Sequence, residues 1–305
     1  MTLEQLFDVY KNKQLRFKSE NTVRLYRHTL KSFSLTLGRT PTIHDLDSDV
    51  IELHMERIIR KGGSPASANK DRGQLLALWR FAAAKRIVEQ WPTIAIMKEP
   101  EIVPMGWLAN EATSLLSACD KAVGHIAEVP ARLWWSGLVS VLLDTGERIG
   151  AIRPLKKSHV QSNYLLVPAA FRKGQRRDRL YSLQPSTVEI LQKVAKANTE
   201  DDQLFPWDRT ETYIYKRFNV ILEAAGLPTD RRSKFHRLRR TVASVVTAAG
   251  GDATAALDHA SPKTTKKYLD PRIVGTVSVS SILAAYLANP GKKSPPAADS
   301  ARDVG

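Results

Sequence analysis

Residues 231–241 read RRSKFHRLRRT, and six of the first ten are lysine or arginine. His236 and Arg239 stand three apart, so a helix puts them on one face. A guanidinium stays charged at any usable pH, and its planar fork matches two phosphate oxygens. A neighbouring imidazole accepts or donates a proton near neutrality. The pair has the means to grip and act on one phosphodiester. A basic helix that only rests on a nucleic-acid backbone would read the same way, and this segment alone does not separate the two. Arg232, Lys234 and Arg240 are candidate phosphate contacts under either reading.

Three further segments carry chemistry. In LLDTGERIGAIRPL, residues 142–155, an apolar helix ends at Thr145-Gly146 and Arg148 follows at once. Gly146 suits a left-handed C-cap, which would hold Arg148 on a rigid mount. In AAFRKGQRRDRLYSL, residues 169–183, a hairpin turn carries Arg172, Lys173, Arg176 and Arg177. So basic a turn repels itself unless it faces phosphate, so these arginines are expected to contact DNA. Lys173, beside Gly174, is placed to reach a groove or a leaving oxygen. In LDHASPKTTKKYLDP, residues 257–271, His259 precedes a Ser261-Pro262 helix start, Tyr268 closes the short helix, and Pro271 stops it. Taken alone, Tyr268 reads equally as a half-buried packing aromatic.

In this order, Arg148, Lys173, His236, Arg239, His259 and Tyr268 resemble the catalytic signature of the tyrosine recombinases, the family of phage integrases and chromosome-dimer resolution recombinases. The likeness rests on TGERIG, HRLRRT, LDH for the usual Leu-Gly-His, and TTKKY. It implies that the Tyr268 hydroxyl attacks a DNA phosphodiester in line, leaving a 3′-phosphotyrosine and a free 5′-hydroxyl. Arg148 and Arg239 would clamp the phosphorus, doing the work of a metal, so no metal or other cofactor is expected. His236 would accept the phenol proton, Lys173 protonate the departing oxygen, and His259 hydrogen-bond a non-bridging oxygen. The implied partner is double-stranded DNA at specific sites. Strand exchange implies a homotetramer, with a monomer off DNA and an accessory DNA-bending or directionality factor both compatible. Integration or excision of a mobile element is the implied role. A type IB topoisomerase and a DNA-binding regulator without chemistry are the competing readings. Two positions depart from the family pattern: Ala151 stands where a glutamate is common, and Asp258 where glycine is usual.

These groups need elements to position them. The chain has 305 residues, 46 basic and 31 acidic, giving a formal charge of +15. That balance points to a polyanionic partner. One cysteine, Cys119, excludes an internal disulfide framework and any multi-thiolate metal site, and suits a reducing, cytoplasmic, nucleoid-associated setting. No apolar run of membrane-spanning length is present, and MTLEQLFDVYKNK lacks the core of a signal peptide. The expected fold is mainly α with a small antiparallel β-sheet, in two domains. Residues 1–98 read as helices that resemble the family's core-binding domain, with Ser19 and Ser64-Pro65 as helix starts. Lys70 and Arg72 there are candidate DNA contacts. Residues 99–106, rich in proline, read as a linker, 107–289 as the catalytic domain, and 290–305 as an unstructured tail. Strands are expected over 163–167 and 179–183, and helices over 185–197, 210–225, 235–249 and 276–288. The apolar stretch from Val277 to Leu287 is expected to dock on a neighbouring subunit, or on its own domain. His28, His44, His54, His125 and His159 read as surface or packing residues, and Trp134 and Trp135 as core.

Overall fold

The computed structural model describes residues 1–89, 91–174 and 177–275, together with positions 283, 287 and 288. Arg176, the tail from Pro290 and, but for those three positions, the helix expected over 276–288 with its docking stretch lie outside the described residues. The chain forms two compact units, Met1–Ile102 and Val103 onward.

The first unit holds four longer helices: α1 (Leu3–Gln14), α2 (Glu20–Leu37), α3 (Ser48–Arg60) and α4 (Pro65–Ala84). Each starts on a side-chain cap. Thr2 forms a capping box with Gln5, and Ser19, Asp47 and Ser64 accept from backbone N–H groups of the following turns. Pro65 occupies the first turn of α4, where its missing N–H costs nothing. The apolar faces bury Leu6, Phe7, Tyr26, Phe33, Met55, Leu75 and Trp79. A polar knot sits inside this core. Buried Asp71 accepts from Thr29 Oγ1 at 2.7 Å, pairs with Lys70 Nζ at 2.6 Å and meets His54 Nε2 at 3.1 Å. Lys70 therefore neutralises a buried carboxylate. Arg72 donates from Nε to the Ile94 carbonyl at 3.1 Å. Both cations, expected to contact DNA, have acceptors within the unit.

The second unit is built around α6 (Ala131–Thr145), which follows α5 (Ala109–Asp120) and the short hairpin of β1 (His125–Ile126) with β2 (Val129–Pro130). Trp134, Trp135, Leu138, Val141 and Leu142 of α6 are fully buried, as their apolar run requires. Next come α7 (Ile149–Ile152) and an antiparallel sheet in the order β3 (Val160–Gln161), β4 (Tyr164–Val167), β5 (Arg179–Ser182). In register, Val167 pairs with Arg179, so the basic turn closes β4 onto β5. The helices α8 (Pro185–Ala197), α9 (Glu211–Ala224), α10 (Phe235–Ala248), α11 (Ala253–Ala256), α12 (Pro262–Lys266) and α13 (Pro271–Val274) complete the unit. Phe235 at the start of α10 stacks on Phe218 of α9 at 4.2 Å between ring centroids, which fixes the rotation of α10. Among the described residues, no helix is long and apolar enough to cross a membrane.

Candidate active site

Three chain segments meet at the N-terminal half of α10. The first is the end of α6. Gly146 caps it at φ 63°, a left-handed conformation that an L side chain adopts only under strain. A Cβ at Gly146 would lie 2.6 Å from Leu257 Cδ2, so glycine also permits the close approach of the second segment, residues 257–259. The third is α12 and the residues after it, which end on Tyr268.

Arg239 stitches the first two together. Its Nη1 donates to the Gly146 carbonyl at 2.7 Å and its Nη2 to the Leu257 carbonyl at 2.7 Å. Nη2 also lies 3.0 Å from His259 Nε2. A guanidinium only donates, so Nε2 is the acceptor there, and Nδ1 carries the imidazole proton toward Thr265 Oγ1 at 3.0 Å. Arg239 is 1% exposed, and its buried Nε has no hydrogen-bond partner. Desolvation, and then the charge of Arg148, hold its pKa below the usual arginine value. Glu147 Oε2, 3.9 Å from Nη1, supplies the nearest carboxylate charge. An arginine stripped of water with donors left over is a ready seat for an anion.

Tyr268 lies between two imidazoles, with ring centroids 4.9 Å from His236 and 4.7 Å from His259. The Arg239 Cζ is 5.8 Å from the phenol centroid. Among the described residues the phenol hydroxyl makes no hydrogen bond. Ser244 Oγ, on α10, anchors the backbone here by accepting from Asp270 N at 2.8 Å. Buried Asp270 in turn accepts from Gly106 N at 2.8 Å and from Arg272 Nη2 at 2.7 Å. Both histidines have pKa values lowered to about 4. Desolvation is the largest cause for each. Arg240, Arg239 and Arg148 follow for His236, and Arg239 and Arg148 for His259. Both are neutral at pH 7 in the absence of a bound anion.

Arg148 is the N-cap residue of α7 and half-buried, and its guanidinium makes no hydrogen bond or ion pair among the described residues. It lines a cleft of about 570 Å³ with Tyr215, Arg231, Phe235, His236 and Arg239. The structure thus gathers Arg148, His236, Arg239, His259 and Tyr268. Lys173 stands apart, exposed on the β4–β5 turn and without a contact to the other five.

The candidate phosphate contacts divide. Arg232 is exposed, and its guanidinium has no partner among the described residues. Arg240 is half-buried with an unpartnered Nε. Lys234 is tied to Asn219 and to the Thr229 carbonyl. Arg172 is 8% exposed and bonded to Glu147 and Asp258, so it is withdrawn from solvent rather than offered to phosphate. Arg177 is exposed and pairs with Asp258. Glu147, 3% exposed, also accepts from Tyr181 Oη at 2.6 Å. Nothing in the sequence reading gave Glu147 a role, although a lone carboxylate between Gly146 and Arg148 in so cationic a set was the available signal. Among the described residues no cluster of His, Cys, Asp and Glu has the arrangement to hold a metal ion.

A family model described as the phage integrase family matches residues 108–273. Comparison with curated proteins finds no match. Among solved structures, the chain is similar to a lambda integrase dimer bound to a COC′ core site, at TM-score 0.71 and 20% identity over 92% of this chain and 99% of that one. It is also similar to XerH site-specific recombinase bound to a palindromic difH substrate, at TM-score 0.67 and 20% identity over 94% and 84%. The Tn1549 transposon integrase in complex with a circular intermediate DNA gives TM-score 0.68 and 15% identity over 94% and 99%. At these identities the likeness is one of fold.

Proposed function

The chain belongs to the phage integrase family of tyrosine site-specific DNA recombinases, and from that premise we propose that it cuts and rejoins DNA through a covalent 3′-phosphotyrosine on Tyr268. One observation carries the reading. Arg148, Arg239, two neutral imidazoles and the phenol of one chain converge beside a buried, unpartnered guanidinium nitrogen.

The chemistry follows from charge. A scissile phosphate enters as a monoanion and gains charge in its five-coordinate transition state. Arg148 and Arg239 stabilise that charge. The phosphate also offsets the cationic field that depresses His236 and His259, so both become more basic when DNA is bound. Tyr268 Oη attacks phosphorus in line and its proton passes to His236. A phosphotyrosyl bond forms as the bond to the 5′-oxygen breaks. That oxygen takes a proton from Lys173, carried in on the β4–β5 turn. His259, made more basic by the bound phosphate, takes a proton from solvent at Nε2, turns from Arg239 and donates to a non-bridging oxygen. Attack by another 5′-hydroxyl runs the steps in reverse, so bond energy is conserved and no nucleotide is consumed. Tyr268 sits with the arginines of its own chain, which supports attack in cis.

Double-stranded DNA at a specific site is the substrate. Exchange between two duplexes needs four tyrosines, hence a homotetramer on DNA, and integration or excision of a mobile element is the biological role. The setting is the nucleoid. The test uses a nicked site DNA in the presence of a chelator, with adducts read on a denaturing gel. Wild type forms an adduct. Tyr268→Phe forms none and keeps its DNA affinity. An adduct that persists in Tyr268→Phe removes Tyr268 as the nucleophile.

A further inference from the structure

Arg172 and Arg239 bridge the same two chain segments from different sides. Arg239 ties backbone to backbone, through the carbonyls of Gly146 and Leu257. Arg172 ties side chain to side chain at the next residue of each segment. Its Nε donates to Glu147 Oε1 at 2.7 Å and its Nη1 to Asp258 Oδ2 at 2.9 Å. The two bridges close into a ring. It runs from Asp258 to Arg172, to Glu147, across 3.9 Å to Arg239, on to His259 Nε2, and back to Asp258 through one peptide bond.

The ring includes one of the two departures from the family pattern, Asp258, and not the other, Ala151. Ala151, where a glutamate is common, is 2% exposed and offers no acceptor. Glu147 brings a carboxylate to the cluster from the other side of Arg148 along the chain. Asp258, where glycine is usual, has φ 52°, a left-handed conformation that most non-glycine residues avoid. That conformation is adopted here by a residue whose side chain pairs with Arg172 and Arg177. Glu147 and Asp258 are the two carboxylate ends of one ion-paired bridge through Arg172, and Ala151 lies outside it.

We infer that Glu147, Arg172 and Asp258 form a positioning relay that sets the aim of Arg239 and the presentation of His259 toward the scissile phosphate. This rests on the strand-cleavage reading above. Arg172 is then a positioning residue, and the anchored start of the β4–β5 turn couples the Lys173 loop to the phosphate clamp. With Glu147 and Arg172 buried and each charge paired, the relay holds its geometry. With one partner removed, the remaining charge is buried and uncompensated, and the clamp shifts.

The test measures single-turnover cleavage of nicked site DNA and equilibrium DNA binding for wild type, Glu147→Gln, Asp258→Asn and Arg172→Lys. Asparagine tolerates the left-handed conformation, so Asp258→Asn isolates the lost charge from backbone strain. Cleavage is expected to fall by about 10- to 100-fold in Glu147→Gln and less in Asp258→Asn, as misaimed catalytic groups do, with binding changed less than about 3-fold. The decisive readout is a site DNA with a methylphosphonate at the scissile position. There a methyl group replaces one non-bridging oxygen and the linkage is neutral, so the clamp matters less and the penalty of each variant should shrink toward parity. A general loss of folding would leave that penalty unchanged and would overturn the relay. Arg172→Lys keeps the charge but not two directed bonds, and it should fall between wild type and Glu147→Gln. If wild type forms a Tyr268-dependent adduct and Glu147→Gln and Asp258→Asn cleave at its rate, the relay fails and the strand-cleavage reading stands. If wild type forms no Tyr268-dependent adduct, the strand-cleavage reading itself fails.

Discussion

His236 and His259 are held near a pKa of about 4 by desolvation and by the arginines around them. An unfolded histidine titrates near 6.5. The folded value is the lower one, so protonation favours the unfolded chain. The stabilising contribution is complete above about pH 6.5 and is lost as pH falls toward 4. Melting temperature without DNA should therefore hold steady from pH 8 to 7 and drop between pH 6.5 and 4. The drop should be shallower in His236→Gln and His259→Gln, and equal slopes in all three proteins would contradict these pKa values. Arg239→Lys probes the other side of the cluster. Lysine keeps a charge but cannot reach the Gly146 carbonyl, the Leu257 carbonyl and a phosphate together. Cleavage should fall by about 10²- to 10³-fold, the usual cost of losing a transition-state donor, with much smaller change in DNA affinity. At this scale the His-x-x-Arg pair was legible as two residues on one helix face, and Tyr268 through the motif around it, although the groups they meet are distant in sequence. Arg172 was not. Its acceptors lie 25 and 86 residues away, so whether its counter-charge is phosphate or carboxylate depends on the fold.

At the scale of elements, the site depends on where α6 stops. Thr145 Oγ1 bonds back to the Val141 carbonyl at 2.7 Å, and Gly146 then reverses the chain in the left-handed region. Gly146→Ala would impose both the left-handed penalty and a Cβ 2.6 Å from Leu257 Cδ2, with Val242 Cγ1 at 3.0 Å. A loss of roughly 2–4 kcal/mol is expected, the sum of the conformational cost and of overpacking. Urea denaturation of the full chain checks it. A loss under about 0.5 kcal/mol, typical of an unconstrained surface change, would mean that the cap relaxes freely. The helix starts at Ser19 and Ser64-Pro65, the cap at Gly146 and the buried run of α6 were readable because they are local facts of backbone and burial. The two-residue strands β1, β2 and β3 were not, since two residues show no alternation and their pairing is set by the elements around them. The left-handed turn at Asp258 was equally hidden, because its strain is compensated by arginines distant in sequence.

At the scale of the whole molecule, a net charge of +15 overstates the number of cations facing DNA. Lys70 neutralises buried Asp71, Arg72 caps a carbonyl, Lys234 is held by Asn219 and Thr229, and Arg172 belongs to an internal ion-paired bridge. Cations already paired within the protein displace few counterions from DNA, whereas an exposed, unpartnered arginine displaces nearly one for each phosphate it meets. Affinity for duplex DNA should still fall steeply between about 50 and 200 mM salt, with a log–log slope of about −0.9 per phosphate contacted. Single substitutions should then sort the basic residues by their structural state rather than by their charge. Arg232→Gln removes an exposed guanidinium and should flatten the slope by about 0.9, weakening binding across DNA sequences alike. Arg72→Gln removes the same formal charge from a guanidinium that caps the Ile94 carbonyl and should leave the slope nearly unchanged. Fluorescence anisotropy titrations at four or more salt concentrations measure both. Equal shifts for Arg232→Gln and Arg72→Gln would mean that DNA binding reads net charge alone. A shift for Arg72→Gln only would mean that this arginine leaves its carbonyl when DNA arrives.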